Sequence, residues 1–511
     1  MQAVAPTPYI EQVDFASYLD NFRDTLRRVF HVRADIDELS LQRGLPPYIM
    51  REILAANPLA VWIPSEYGGR GGHVMECMSV LEAAGYESLA LSLTMGINGA
   101  LFLQPVAKYG QEEVKHGVFE RFLHHQNLGG LMITEPDYGS DALSMQTSWI
   151  EEKDGYHIRG VKHWGGLTGW ADFWLLTARR RGADGQLARD IDFFICNVNS
   201  PGQEIYVEEY FNNLGLYLIP YGRNRIDVRV PETYRLQPHS TGIKMMLDTL
   251  HRSRTEFPGM GIGFLRRMMD EAIAHCSERH VGGASLLTYD QVKERIARMQ
   301  AYFTACSAMC VYSSEHAGIE HDLSKDNVAA NSIKSVVTDF MQESAQSLLQ
   351  LVGAKGYRLD HIAGRAIVDS RPFQIFEGSN DILYQQITES VLKAMRRISE
   401  SNLFSFLKEY ELTSRAADYF KNLLNFEVDL RMSQRKLVEL GRVLGRVVTM
   451  DFAIELGERA FRRDLVENCL EVLKHEIESL LAQYRSSAQA VPIIDYVEDA
   501  SWLGCVSAAN S

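Results

Sequence analysis

The stretch Phe373-Gln374-Ile375-Phe376-Glu377-Gly378-Ser379-Asn380-Asp381-Ile382-Leu383 places a single carboxylate directly after bulky apolar residues and directly before a Gly-Ser pair suited to a tight turn. Apolar neighbours desolvate Glu377 and raise its pKa toward the range of a working general base. The same residues also fit a helix start, with Ser379 and Asp381 ahead of Ile382 and Leu383 and Glu377 left as a loop acid. The stretch alone leaves both readings open.

The elements that position this turn follow from the rest of the chain. Its 511 residues give room for about three domains, and 46% hydrophobic with 23% charged content is ordinary for a globular protein. A net charge of −14 lacks the basic field that nucleic acid or an anionic membrane surface requires, so neither is expected as a partner. The seven cysteines (77, 196, 276, 306, 310, 469 and 505) form no CxxC pair and have no His cluster beside them. They predict reduced thiols, a cytoplasmic location and no metal site. Residues 1–15 show neither the basic nor the apolar segment of a secretory signal. No run of 18 apolar residues predicts a transmembrane helix.

Phe15, Leu19, Phe22, Leu26 and Phe30 recur at helical spacing, and helical patterns resume over 73–85 and 89–122. Between them, the glycine-rich loop from Trp62 to Gly72 has no following Lys-Ser/Thr and reads as a structural turn. From Gly129 the pattern becomes short apolar or alternating runs at 131–134, 147–150, 156–158, 173–176, 191–195 and 225–230, parted by Asp-Gly turns. Helical periods return at 245–250, 261–277, 288–317, 326–352 and 382–398, and again from 399 to 487 through Tyr419, Leu423, Leu430, Leu437, Leu440 and Leu444. The expectation is an α+β multidomain protein. It has an N-terminal all-helical domain (1–128), a small all-β barrel or sandwich of five or six strands (129–238), a C-terminal four-helix bundle (239–398) and a further helical segment (399–511).

Five motifs in this order resemble the acyl-CoA dehydrogenase family of flavoproteins over about residues 60–398. They are Pro64-Ser65-Glu66-Tyr67-Gly68-Gly69; Thr134-Glu135-Pro136-Asp137-Tyr138-Gly139-Ser140-Asp141; the strand Tyr156-His157-Ile158 running to Trp164; Gln350-Leu351-Val352-Gly353-Ala354-Lys355-Gly356-Tyr357; and the Glu377 stretch. The wording around Glu377 and the helical extension past 400 are most similar to the very-long-chain branch.

The resemblance implies FAD as cofactor and an acyl thioester, on CoA or a carrier protein, as substrate. Glu377 would remove the α-proton while its own backbone N–H and a flavin ribitol hydroxyl polarise the thioester carbonyl. Ile133 and Thr134 would border the flavin ring and Trp164 would stack beside it. Gly139 and Ser140 would line the pyrophosphate and the CoA. Arg279 would reach the FAD pyrophosphate of a neighbouring subunit, Gln291, Gln350 and Gly353 would hold its adenine half, and Ser379 and Asp381 would bind near it. Arg254 and Gly378 would lie at the substrate. The resemblance also implies a homodimer or homotetramer and an electron-transfer flavoprotein, or a similar acceptor, as partner.

Two departures stand out. The family has a hydroxyl residue two places after the tryptophan that bonds flavin N5. Here Gly166 holds that position, after Gly165, with Thr168 close by in sequence. After Arg279, His280-Val281-Gly282-Gly283 lacks the usual Phe. These keep two alternatives in view: a flavin oxidase or monooxygenase on the same fold, and a non-catalytic scaffold derived from it. Ser253, before Arg254, leaves the alternative base position of the family without a carboxylate, and Glu256 is the next acid on that segment.

Overall fold

Strict alternation makes Gly222–Val230 a strand: Asn224, Ile226 and Val228 are buried while Arg225, Asp227 and Arg229 are exposed. The same period organises the middle of the chain in a computed structural model that describes residues 13–429, 431–487 and 490–507. Seven strands form one sheet: β1 (Gly129–Met132), β2 (Ser148–Glu152), β3 (Gly155–His163), β4 (Phe173–Arg180), β5 (Asp192–Asn197), β6 (Tyr206–Tyr210) and β7 (Gly222–Val230). β4 carries β1 and β2 parallel on it and β5 antiparallel. β3 joins β2 to β7, and β6 closes the edge beside β7. The sequence expectation of five or six strands missed β6. Its residues, Tyr-Val-Glu-Glu-Tyr, are nearly all exposed, so no buried face imposes an alternation.

Helices flank this sheet on both sides in sequence. The N-terminal helical domain is built on α1 (Phe15–Arg28), α2 (Val74–Glu87), α3 (Leu89–Asn98) and α4 (Glu112–His125), with α3 extended through Gly99–Leu103 to Tyr109. Residues 89–109 are apolar and long enough to cross a membrane, but they are 94% buried in the protein core. The C-terminal helical domain comprises α5 (Gly242–Glu278), α6 (Asp290–His316), α7 (Asn327–Val352) and α8 (Asn380–Arg397), and α9 (Gln434–Glu458) and α10 (Arg463–Arg485) pack onto it. The readings of residues 1–12, and of Leu430, fall outside the described residues.

α5 corrects the sequence pattern, which separates 245–250 from 261–277. It is one helix of 37 residues that runs through Pro258. Proline removes a backbone donor and ordinarily kinks or ends a helix. Here close packing on two sides carries it through: a β-carbon at Gly259 would lie 2.8 Å from Met78 Cα, and one at Gly263 would lie 2.1 Å from the Glu82 carbonyl, so α2 rests directly on the α5 backbone. At Gly261 the neighbour is Val337 of α7. Asp190, from the loop before β5, accepts the N–H groups of Gly242 and Ile243 and ties the sheet to the start of α5.

A similar contact seats α9 on α8, where a β-carbon at Gly441 would lie 2.0 Å from the Tyr384 carbonyl. Gly441→Ala is expected to lower stability by about 1–3 kcal/mol in denaturant titrations. Gly117→Ala, in α4 with open space around it, should gain about 0.5–1 kcal/mol in the same assay.

Candidate active site

Glu377 adopts φ +53° and Gly378 follows at +88°, two successive left-handed residues before Ser379 returns to extended geometry and α8 begins at Asn380. A non-glycine residue in this region costs on the order of 1–3 kcal/mol unless its surroundings fix it. Two buried cations do so. Arg254 of α5 donates Nε and Nη2 to the Glu377 carbonyl at 3.2 and 2.7 Å, and its Nη1 to Asn331 Oδ1 at 2.8 Å. Lys334 of α7 donates to the Gly378 carbonyl at 2.8 Å and to Asn380 Oδ1 at 3.0 Å. Burial pushes Lys334 down to about 7 and Arg254 down to about 10. Neither reading of the opening stretch excludes the other: the turn starts a helix at Asn380 and also aims a carboxylate.

That carboxylate is divided between two environments. Oε1 accepts the Ser253 hydroxyl at 2.9 Å, while Oε2 is buried and makes no hydrogen bond. The Glu377 N–H also donates to nothing among the described residues. Burial raises the Glu377 pKa, against the opposing pull of Arg254, Ser253 and Lys334. Phe376, the residue before Glu377, packs with Phe373 and Phe257 in an aromatic cluster with centroids 4.9–6.3 Å apart. A free basic oxygen and a free N–H on one residue, in an apolar surround, can take a proton from carbon and bind the oxygen of an adjacent carbonyl.

The sheet offers a second group of the expected residues. Trp164 directly follows β3 at φ +56°, 52% exposed, with its ring centroid 4.6 Å from that of Phe211. Beside it, the Thr134 carbonyl accepts the His163 N–H at 2.8 Å, and the Thr134 hydroxyl makes no hydrogen bond among the described residues. A buried pair sets this edge. Lys162 is fully buried and donates to Glu135 at 3.0 Å, to the Ile133 carbonyl and to Thr177. Glu135 in turn accepts the N–H groups of Gln146 and Thr147. Gly139 has open space around it and Ser140 is exposed. An exposed aromatic ring, an unpaired hydroxyl and an open glycine along one edge suit a planar, polar-edged group with a phosphate tail.

Thr168 does not supply the donor that Gly166 lacks. It is fully buried, its hydroxyl donates to the Gly165 carbonyl at 2.7 Å, and it accepts from Asn224 at 3.0 Å. A β-carbon at Gly166 would lie 2.7 Å from Ile97 Cδ1, so a side chain there needs that methyl to move aside.

Arg279, Gln291, Gln350 and Gly353 form a third group. All are exposed, at the end of α5, the start of α6 and the end of α7. A small apolar cluster of Cys276, Val292 and Ile296, with Leu351 against it, joins those three helix ends. Gln350 lies 16 positions beyond Lys334 on α7, roughly 24 Å at 1.5 Å per residue, so this group stands apart from Glu377 of its own chain. Ser379 caps α8 in position without a side-chain bond, and the exposed Asp381 pairs with Arg442 of α9 at 3.0 Å. Among the described residues the cysteines are free and no cluster suited to a metal occurs.

Ser253 and Lys334 were missed as site residues from sequence. The available signal was a lysine on the apolar face of α7, between Ile333 and Val337. Glu256, one turn along α5 from Ser253, accepts from Trp62 Nε1 at 3.0 Å and Gln104 Nε2 at 2.7 Å, and burial raises it to about 7. A carboxyl whose pKa rises on folding stabilises the fold below its unfolded value, and that contribution is lost as pH climbs through 7. Glu256→Gln should therefore flatten the decline between pH 5 and 8 and, at pH 8, unfold at higher urea, by about 1–3 kcal/mol.

Family models describing the N-terminal, middle and C-terminal domains of acyl-CoA dehydrogenase match residues 18–125, 130–227 and 240–392. A probable acyl-CoA dehydrogenase of Mycobacterium leprae is 26% identical over 364 residues, 70% of this chain and 90% of that protein. The mitochondrial very long-chain specific acyl-CoA dehydrogenase of Mus musculus is 23% identical over 386 residues, 74% of this chain and 58% of that one. Among solved structures, an acyl-CoA dehydrogenase of Bacillus anthracis complexed with FAD superposes with a TM-score of 0.77 at 17% identity, over 99% of this chain and 93% of the other. That likeness extends the shared fold through the helices after residue 399. The chain belongs to the acyl-CoA dehydrogenase family, whose cofactor is FAD.

Proposed function

We propose that the chain introduces a trans α,β double bond into an acyl thioester, with Glu377 as the base. The observation that carries this reading is the Glu377 Oε2 atom, buried and without a partner on a turn held by Arg254 and Lys334. In this reading the α-proton passes to Oε2, and the thioester carbonyl accepts the Glu377 N–H. Ser253 keeps Oε1 oriented. Arg254 acts through the turn and Gly378 gives the thioester close approach. Bound FAD supplies the acceptor for the hydride that leaves the β-carbon. Ile133, Thr134 and Trp164 would hold its ring, and Gly139 and Ser140 its pyrophosphate and the CoA.

Arg279, Gln291, Gln350 and Gly353, all exposed, with Gln350 about 24 Å along α7 from Lys334, support a site for the cofactor of a second subunit and hence a homodimer or homotetramer. The substrate is an acyl-CoA or carrier-bound acyl group, and the acceptor an electron-transfer flavoprotein. Seven unpaired cysteines support a reducing, cytoplasmic setting.

Gly166 and the engaged Thr168 favour one second reading, an oxidase or monooxygenase with O₂ as acceptor. Peroxide formed at a rate comparable to dye reduction supports it, and negligible peroxide removes it.

Glu377→Gln keeps shape and the backbone N–H but deletes the base. The variant should remain yellow and bind thioester, with flavin bleaching by an acyl-CoA slowed on the order of 10²–10⁴-fold. More than about a tenth of the wild-type rate rules out Glu377 as base and moves attention to Glu256. Because burial raises the Glu377 pKa, the wild-type bleaching rate should climb with pH through a value above the ordinary 4.5, and Glu377→Gln should lose that dependence.

A further inference from the structure

The residues three before and three after Glu377, Gln374 and Asn380, are tied to one half-buried carboxylate. Asp339 of α7 accepts Gln374 Nε2 and Asn380 Nδ2 through Oδ1, both at 2.8 Å, and Tyr384 Oη through Oδ2 at 2.7 Å. Asn380 also accepts from Lys334, the residue that holds the Gly378 carbonyl. A carboxylate that is only partly exposed still gains from a compensating charge; Lys334 acts on it through space, but its direct ion pair is not made by the helices that carry the Glu377 turn. It comes from α9 in the segment beyond 399: Arg446, 8% exposed, donates Nη2 to Asp339 Oδ2 at 3.1 Å and also bonds Tyr384. Glu476 of α10 lies 3.5 Å from Arg446 Nε and sets the guanidinium from the other side. Burial works to raise the Asp339 pKa, yet Arg446, Tyr384, Gln374 and Asn380 together hold it below the usual range.

We infer that Arg446 is a positioning residue for Glu377, and that the segment after 399 completes the frame of the catalytic turn rather than serving as a separate module. The role in catalysis rests on Glu377 being the base; the brace itself does not. In Arg446→Gln, Asp339 loses its direct ion-pair partner, and the Gln374 and Asn380 contacts that rest on Asp339 loosen.

The test compares wild type, Arg446→Gln, Arg446→Lys and Asp339→Asn, each loaded with FAD. Amide hydrogen exchange of peptides covering 374–383 should quicken about 10-fold or more in Arg446→Gln while α2 and the sheet stay unchanged. Bleaching by an acyl-CoA should slow by about 10–100-fold with thioester affinity kept, and Arg446→Lys should recover most of the rate. A folded Arg446→Gln with unchanged exchange at 374–383, or with the full bleaching rate, overturns the inference. So does loss of FAD and melting temperature in proportion, without the selective rate effect. Should Arg446→Gln fail to fold, Asp339→Asn carries the same expectations with the side-chain volume kept. If no acyl-CoA bleaches the wild type, the dehydrogenase reading fails, and exchange at 374–383 still decides the brace.

Discussion

The left-handed turn at Glu377 and Gly378 exists because two cations reach its carbonyls from two different helices. Arg254 lies on α5 and Lys334 on α7, and each gives up solvation to point at a main-chain oxygen. A carbonyl is a weak partner for a buried charge, so both cations titrate more easily than in water. The arrangement holds because the turn leaves the carboxylate of Glu377 within their field. Burial beside the aromatic cluster of Phe257, Phe373 and Phe376 raises the basicity of that carboxylate while the cations restrain it. Position and reactivity of one group thus share one cause.

The larger architecture serves the placement of α5 and α7. Glycines at 259, 261 and 263 allow α2 and α7 to close on α5, which continues through Pro258 and brings Ser253 and Arg254 to the turn. On the sheet side, Lys162 and Glu135 hold the edge strand and its loop in a dry interior, so Thr134 and Trp164 face outward with unspent surface. The two halves are assembled by the same device, a buried ion pair or cation–carbonyl contact fixing a backbone that would otherwise have alternatives.

What the sequence disclosed follows from what is local. Glu377 was legible because its apolar neighbours and the Gly-Ser turn are consecutive, and the strands were legible where one face is buried. β6 was not, since both its faces meet water. The continuity of α5 through Pro258 was hidden because it depends on α2 and α7, distant in the chain. Ser253 was noted only for the carboxylate it lacks. Its hydroxyl bond to Glu377 spans 124 positions and needs the folded α5 beside the turn. Lys334 announced itself only as a charge on an apolar stripe, which is also how a structural lysine looks. Thr168 was a candidate donor beside Gly166 by proximity in sequence, and the turn it closes on Gly165 takes that hydroxyl away.

The contact between Gly166 and Ile97 couples the loop after Trp164 to the N-terminal helices. Ile97 belongs to the N-terminal helices and is 6% exposed, and it stands where a side chain at 166 would begin. A hydroxyl residue at 166 must therefore move the terminal methyl of Ile97, a core side chain of the N-terminal helices. Positions 166 and 97 are thus packed as one unit, and a side chain added at 166 is read out in the rotamer of Ile97.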